Sequence, residues 1–270
     1  MNAEGTALVT GASRGIGRAT ALELAARGFD VVATMRDPAA GSGLAQDAAA
    51  KGGRLRVERL DVTDPSTIDI PQGLRILVNN AGVERPHLPF ESTPIQHWHE
   101  MFETNVFGLV EVTKLAVPQL RERGGVICNV TSSSILAPVP FYAIYRASKA
   151  AVSAISETLR SELAPFGIRI VEIMPGPIDT DMLANSEHEM DAVRDELYRP
   201  MAEHMMANRG TVRDMTTPAP DAARAIVDAI LDDDGPLRYG CDPMSVGMLD
   251  AWRRSSDEDM MRGMLHGMGV

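Results

Sequence analysis

Short apolar runs alternate with helical patterns along most of the chain. Ala7-Leu8-Val9 predicts a first strand, and Ile16 to Arg27 a helix with Ala19, Leu22, Leu24 and Ala25 available for packing. Val31-Val32-Ala33 predicts the next strand, Ala45 to Lys51 a short helix, and Leu55 to Leu60 and Ile76-Leu77-Val78 two further strands. A helix between Asp64 and Gly73 is expected to be short, broken by Pro65 and Pro71. Thr93-Pro94-Ile95-Gln96 has the form of a helix start: a capping threonine, a proline at the first helical position and a capping-box glutamine. That helix is expected to run to about Arg121. Val126 to Val130 predicts a strand, Ser148 to Ala164 a helix and Ile168 to Ile173 a strand. Beyond them, 182–217 is polar and helical in pattern, and Pro218 to Leu231 is amphipathic. Leu237-Arg238-Tyr239 is a last short strand, followed by helical patches around Leu249–Trp252 and Met260–Leu265.

Continuously apolar strands that alternate with helices indicate a parallel sheet buried on both faces. The expectation is therefore one α/β domain over 1–270, a doubly wound parallel sheet with helices on both faces. A substrate lid is expected at approximately 182–217 and a helical C-terminal extension at approximately 241–270. Composition narrows the function. A net charge of −11 repels a phosphate backbone, and 4% aromatic residues leave little for stacking on bases, so no nucleic-acid partner is expected. No run approaches the ~18 apolar residues of a membrane span, and MNAEGTALVTGAS lacks the pattern of a secretory signal, so the expected location is cytoplasmic. Cys128 and Cys241 are too few for a disulfide framework or a zinc cage, and no metal site is expected. Twelve of the sixteen methionines lie between Met182 and Met268; adaptable packing is the first reading of this, a plastic substrate pocket the second.

Chemistry concentrates in two places. Thr10-Gly11-Ala12-Ser13-Arg14-Gly15-Ile16-Gly17 joins the first strand to the first helix. Glycines there permit a tight turn and bring a pyrophosphate against the free N–H groups of the helix start. Sites for NAD place an acid about twenty residues later to hold the ribose hydroxyls. Here Met35 takes that place and Arg36 follows it, so Arg36 and Arg14 suit a 2′-phosphate and favour NADP(H) over NAD(H), with Asp37 the one feature against. Tyr145 and Lys149 lie four residues apart, on one face of a helix. An ammonium there is expected to pull the phenol's pKa down toward the working range. Ser132, at the end of a strand, can reach the same cleft.

With these residues in view, the chain resembles the short-chain dehydrogenase/reductase family in its compact single-domain, Rossmann-type form. The matching features, in order, are the glycine loop, Asn79-Asn80-Ala81-Gly82, Asn105, Ser132, Tyr145 with Lys149, and Pro175-Gly176-Pro177-Ile178-Asp179-Thr180. They cover about residues 5 to 182. The resemblance implies that Tyr145 is the acid/base and that Lys149 holds the nicotinamide ribose and tunes the tyrosine. It implies that Ser132 binds the substrate oxygen and that Asn105 holds a water in a proton relay. Gly11, Ser13, Arg14, Gly15, Ile16, Gly17, Arg36, Asp61, Val62, Asn79, Ala81 and Gly82 would contact the cofactor. So would Pro175, Gly176, Ile178 and Thr180, with Ile178 and Thr180 at the nicotinamide.

Val83, Leu136, Val139, Phe141, Tyr142, Met182 and Leu183 are the expected substrate-facing residues, with Glu84 and Arg85 the nearest charges, which suits an apolar ketone, aldehyde or alcohol. Other segments depart from the family's pattern: a shortened third helix, Ile135-Leu136-Ala137-Pro138 where a glycine is usual, and an extended C-terminus that resembles hydroxysteroid-dehydrogenase-like members. That extension stands against the usual second interface, so a homodimer through the helices near 94–121 and 148–164 is expected, with a tetramer the alternative. The competing functions are a 3-ketoacyl-thioester reductase and a non-catalytic NADP-binding sensor.

Overall fold

The computed structural model describes residues 4–186, 190–213 and 215–267. The chain runs β1 (Thr6–Val9), α1 (Gly15–Ala26), β2 (Asp30–Met35), α2 (Leu44–Ala49), β3 (Arg54–Arg59), β4 (Leu74–Asn79), α3 (Ile95–Phe102), α4 (Leu109–Arg123) and β5 (Gly125–Val130). It continues α5 (Ala143–Leu163), β6 (Ile168–Ile173), β7 (Ile178–Asp179), α6 (Asp181–Ser186), α7 (Arg199–Arg213) and β8 (Thr217–Pro218). It ends α8 (Ala219–Leu231), β9 (Arg238–Tyr239), α9 (Pro243–Trp252) and α10 (Asp257–Gly267).

Seven strands form one parallel sheet in the order β3-β2-β1-β4-β5-β6-β9. Period-two alternation sends neighbouring residues of each strand to opposite faces. Ala7 and Val9 pack with Leu24, Ala25, Ala48, Ile226 and Ile230, so α1, α2 and α8 cover one face. Leu8 packs with Val112, Ala116, Leu120 and Leu163 on the other, under α4 and α5. The sheet order reverses between β1 and β4, which opens a crevice at their carboxyl ends, the place where such sheets bind ligands.

Several local expectations are corrected. The helix expected between Asp64 and Gly73 is only a 3-10 turn, Pro65–Thr67, capped by Asp64, because two prolines leave too few consecutive N–H groups for α-helical bonds. Pro94, with ψ 137°, is the cap of α3 and not its first helical residue; Thr93 instead donates to the Pro89 carbonyl at 2.9 Å. The long helix is divided by a π turn, Glu103–Gly108, before it resumes as α4. The Tyr145 helix begins at Ala143, earlier than Ser148, so both Tyr145 and Lys149 stand on α5. The segment expected as a lid contains α6, a 3-10 turn at Asp191–Arg194, and α7; its residues 187–189 and 214 lie outside the described residues. Among the described residues no helix is long and apolar enough to cross a membrane.

Candidate active site

The glycine loop closes against the loop after β4. Gly11 has φ +65°, and a Cβ on it would stand 2.8 Å from the Ala81 Cα. Gly15, at φ +55°, opens α1 beside Thr180. Asn80 Nδ2 donates to the Thr10 and Gly11 carbonyls, at 3.0 Å each, which fixes the two loops together. The start of α1 carries no side-chain cap and no acid in its first turn, leaving its N–H groups to an anion from the crevice.

At the end of β2, Arg36 is exposed on the cleft wall and makes no ion pair among the described residues. Asp37, the feature against a phosphate, accepts from Ala39 N at 3.0 Å and caps the turn Pro38–Gly41. Met35 is buried against Gly41 and Val57. Arg14 pairs with Asp181 at 3.2 Å, but both side chains are over half exposed, so that pair is a weak competitor for a phosphate. Tight backbone, open helix start and an uncommitted guanidinium all fit a phosphorylated dinucleotide.

At the far side of β4, strand β5 delivers Ser132 and α5 delivers Tyr145 and Lys149 to the cleft wall. Lys149 Nζ lies 5.8 Å from the Tyr145 ring centre and donates to the Val130 carbonyl at 2.9 Å. Burial lowers the Lys149 pKa to about 8, against a smaller opposite pull from Glu84. The expected depression of the tyrosine does not occur. Burial raises the Tyr145 phenol above its ordinary range, the Glu84 charge adds to this, and only the hydrogen bond with Ser132 works against it. A buried phenolate would need a full counter-charge, and Lys149 is itself desolvated.

Asn105 sits in the π turn, buried beneath the cleft wall. Its Oδ1 accepts from Val83 N at 2.8 Å, and its Nδ2 donates to the Val83 carbonyl at 3.0 Å and to Ser148 Oγ at 3.1 Å. Ser148 Oγ in turn donates to the Tyr145 carbonyl at 2.8 Å, so Asn105 ties the loop after β4 to the tyrosine's helical turn. Arg146 clamps the other side, its Nε donating to the Ser134 carbonyl at 2.7 Å. Ser148 and Arg146 were absent from the expected site; their hydrogen bonds to backbone leave no trace in sequence.

The family model for short chain dehydrogenases matches residues 5–191. The chain belongs to that family. As a short-chain dehydrogenase it is an oxidoreductase acting on CH–OH donors. It is 40% identical over 190 residues to the uncharacterized oxidoreductase YusZ of Bacillus subtilis, covering 67% of each chain. It is 35% identical over 213 residues to estradiol 17-beta-dehydrogenase 2 of Rattus norvegicus, where the match takes in 75% of this chain and 55% of that one. A short chain dehydrogenase from Burkholderia cenocepacia, solved in complex with NADP, superposes with a TM-score of 0.76 at 26% identity, over 98% of this chain and 99% of the other.

The short-chain dehydrogenase cleft encloses about 890 Å³. Every residue expected at the cofactor or the chemistry lines it except Asn79 and Asn105. Asn79 points into the interior, its Nδ2 donating to Thr113 Oγ1 and Asn129 Oδ1 at 2.9 Å each, while its neighbour Asn80 faces the loops. Three of the substrate-facing expectations are also corrected. Leu136 packs with Met174 and Leu249, Phe141 with Met190 and Ala202, and Arg85 pairs with Glu100 at 2.7 Å. In their place stand residues from the end of the chain: Met205, Met244, Met248, Met260 and Met264, with Asp259. The methionine-rich composition was the one available signal, and both its readings find residues: those just named line the cleft, while Met190, Met201 and Met206 pack in a hydrophobic cluster beside it.

Proposed function

We propose that the chain is an NADP(H)-dependent carbonyl reductase, working on ketones or aldehydes whose skeleton is largely apolar. The observation that carries this reading is the convergence of Ser132, Tyr145 and Lys149 on the cleft wall opposite the glycine loop. The residues that would hold NADP(H) are the glycine loop, Arg36 and Arg14 at the phosphates, Asp61 and Val62 beside the adenosine, and Lys149, Ile178 and Thr180 at the nicotinamide end. NADPH, when bound, supplies the hydride.

The chain's own residues supply the rest. Ser132 Oγ donates to the substrate oxygen and stabilises the charge that develops there. Tyr145 gives its phenolic proton to that oxygen; its raised pKa keeps the proton in place at neutral pH, as a general acid requires. Lys149 holds the ribose and resupplies the proton, with Asn105 positioning the backbone about the relay. The methionine wall fits an apolar skeleton, and the rat relative is named for estradiol, a steroid. Against a thioester substrate stand Asp181 and Asp259 on the cleft, where a carrier's phosphate would enter. We place the enzyme in the cytoplasm as a homodimer.

The test is a fluorescence titration of the protein with NADPH and NADH side by side, followed by a carbonyl screen. Tight NADPH with weak NADH binding, together with a greater loss of NADPH than of NADH affinity in Arg36→Ala, supports the cofactor assignment. Preference for NADH overturns it. Binding of NADPH without turnover of any carbonyl revives the sensor.

A further inference from the structure

Glu84 is used by nothing in the scheme above. It follows Gly82 by two residues on the loop after β4, lines the cleft, and its side chain is 17% exposed. Among the described residues it is the carboxylate whose charge reaches both Tyr145 and Lys149. Its position is built. Oε1 lies 2.7 Å from Nε2 of His87, which is itself 7% exposed. The His87 ring stacks on Tyr142 at 4.0 Å, and Tyr142 stands edge-on to Tyr145 at 6.3 Å. Ala192 N donates to the His87 carbonyl at 3.2 Å, holding that residue from the lid side.

The second oxygen, Oε2, accepts no hydrogen bond from the described residues, and Val83 and Val139 on the same wall offer none. That oxygen is not a buried orphan: it opens on the cleft, where solvent meets its lone pairs until a ligand's donor takes their place. A site arranged to hydrogen-bond a substrate group rejects the analogue that lacks it far more strongly than an apolar pocket rejects a missing methylene. Resting on the reductase reading of this cleft, we infer that Glu84 is a specificity-determining residue that selects carbonyl substrates bearing a hydrogen-bond donor, an amine or a hydroxyl, several bonds from the carbonyl. The same group disfavours substrates with a carboxylate at that position.

The probes are straight-chain methyl ketones, in a set of chain lengths, that end in methyl, hydroxyl or protonated dimethylamino. The last is an N–H donor that cannot condense with its own ketone. With saturating NADPH, the best donor-bearing ketone should exceed the methyl-terminated one in kcat/KM by about 10-fold or more. Glu84→Met, which removes both oxygens at similar volume, should bring that ratio to about 1. Glu84→Gln keeps a partner for His87, guarding against misfolding, and should lose the preference for the cationic ketone while retaining part of that for the hydroxyl. Equal kcat/KM for all three ketones in the wild type, or a ratio unchanged in both variants, overturns the inference and leaves the reductase reading intact. Ketone binding to the NADPH complex, read by quenching, separates the two claims. If no ketone is reduced but the donor-bearing ones bind more tightly and lose this in Glu84→Gln, the reductase reading falls and the role of Glu84 stands. Equal binding without turnover overturns both.

Discussion

At the scale of single residues, the site is a contest between burial and charge. Tyr145 is raised and Lys149 lowered by the same loss of solvent, so burial drives the two groups' ranges apart. A lysine lowered to about 8 loses its proton as pH rises through that value, while Tyr145 stays protonated beyond it. The pH profile of kcat/KM for NADPH-driven reduction should therefore fall above about pH 8. A basic limb lying near the ordinary lysine range would remove Lys149 from that role. Tyr145→Phe should lower kcat by about 10²-fold or more, the order of a lost general acid, with NADPH affinity nearly unchanged. Unaltered kcat would reassign the proton donor. Sequence offered Ser132, Tyr145 and Lys149 as candidates by their place at a strand end and at helical spacing, and the resemblance to the family assigned their roles. It placed Asn79 at the cofactor, whereas Asn79 turns inward and Asn80, the next residue, faces the loops; two adjacent asparagines give no signal of which side each faces. Nor could it foresee the raised tyrosine, which depends on how much water the folded cleft excludes.

At the scale of elements, strands and long helices were legible from their apolar periods. Their junctions were not, because a proline's role depends on which residue the preceding turn closes upon. The π turn was equally hidden: its widened repeat is stabilised by contacts such as Gly108 against Val62, where a Cβ would lie 2.8 Å from the valine Cβ. The short β7–β8 pair beside the cleft also went unseen, being only two residues a strand. One carboxylate fastens the C-terminal extension to the cleft. Asp242 caps α9 through Ser245 N at 2.9 Å and accepts from Gly176 N at 2.7 Å, while only 5% exposed. Asp242→Ala loses a cap and strands a buried N–H, at a cost of about 2–4 kcal/mol. Urea denaturation should show the midpoint falling with the slope unchanged. A loss below about 1 kcal/mol would mean that other contacts hold α9 in place.

At the scale of the whole molecule, the expected doubly wound sheet is the observed one, and the extension returns from β9 to complete the cleft. Along α3, the π turn and α4, Ile95 is 60%, Phe107 54% and Leu115 45% exposed, apolar side chains that suit burial against a second copy. We expect sedimentation to give a mass of two chains, and Phe107→Glu to shift it toward one. A mass of four chains would contradict the dimer. The resemblance to the family offered the helices near 94–121 and 148–164 as an interface, whereas the exposure of these side chains needed the fold. The methionine wall has a separate consequence. The proposed reacting groups all precede residue 150, while Met205, Met244, Met248, Met260 and Met264 form walls that follow it, so these walls can vary without altering those groups. A descendant of this enzyme could acquire a new diet by drift in its last seventy residues, with its ancestral reaction carried along untouched.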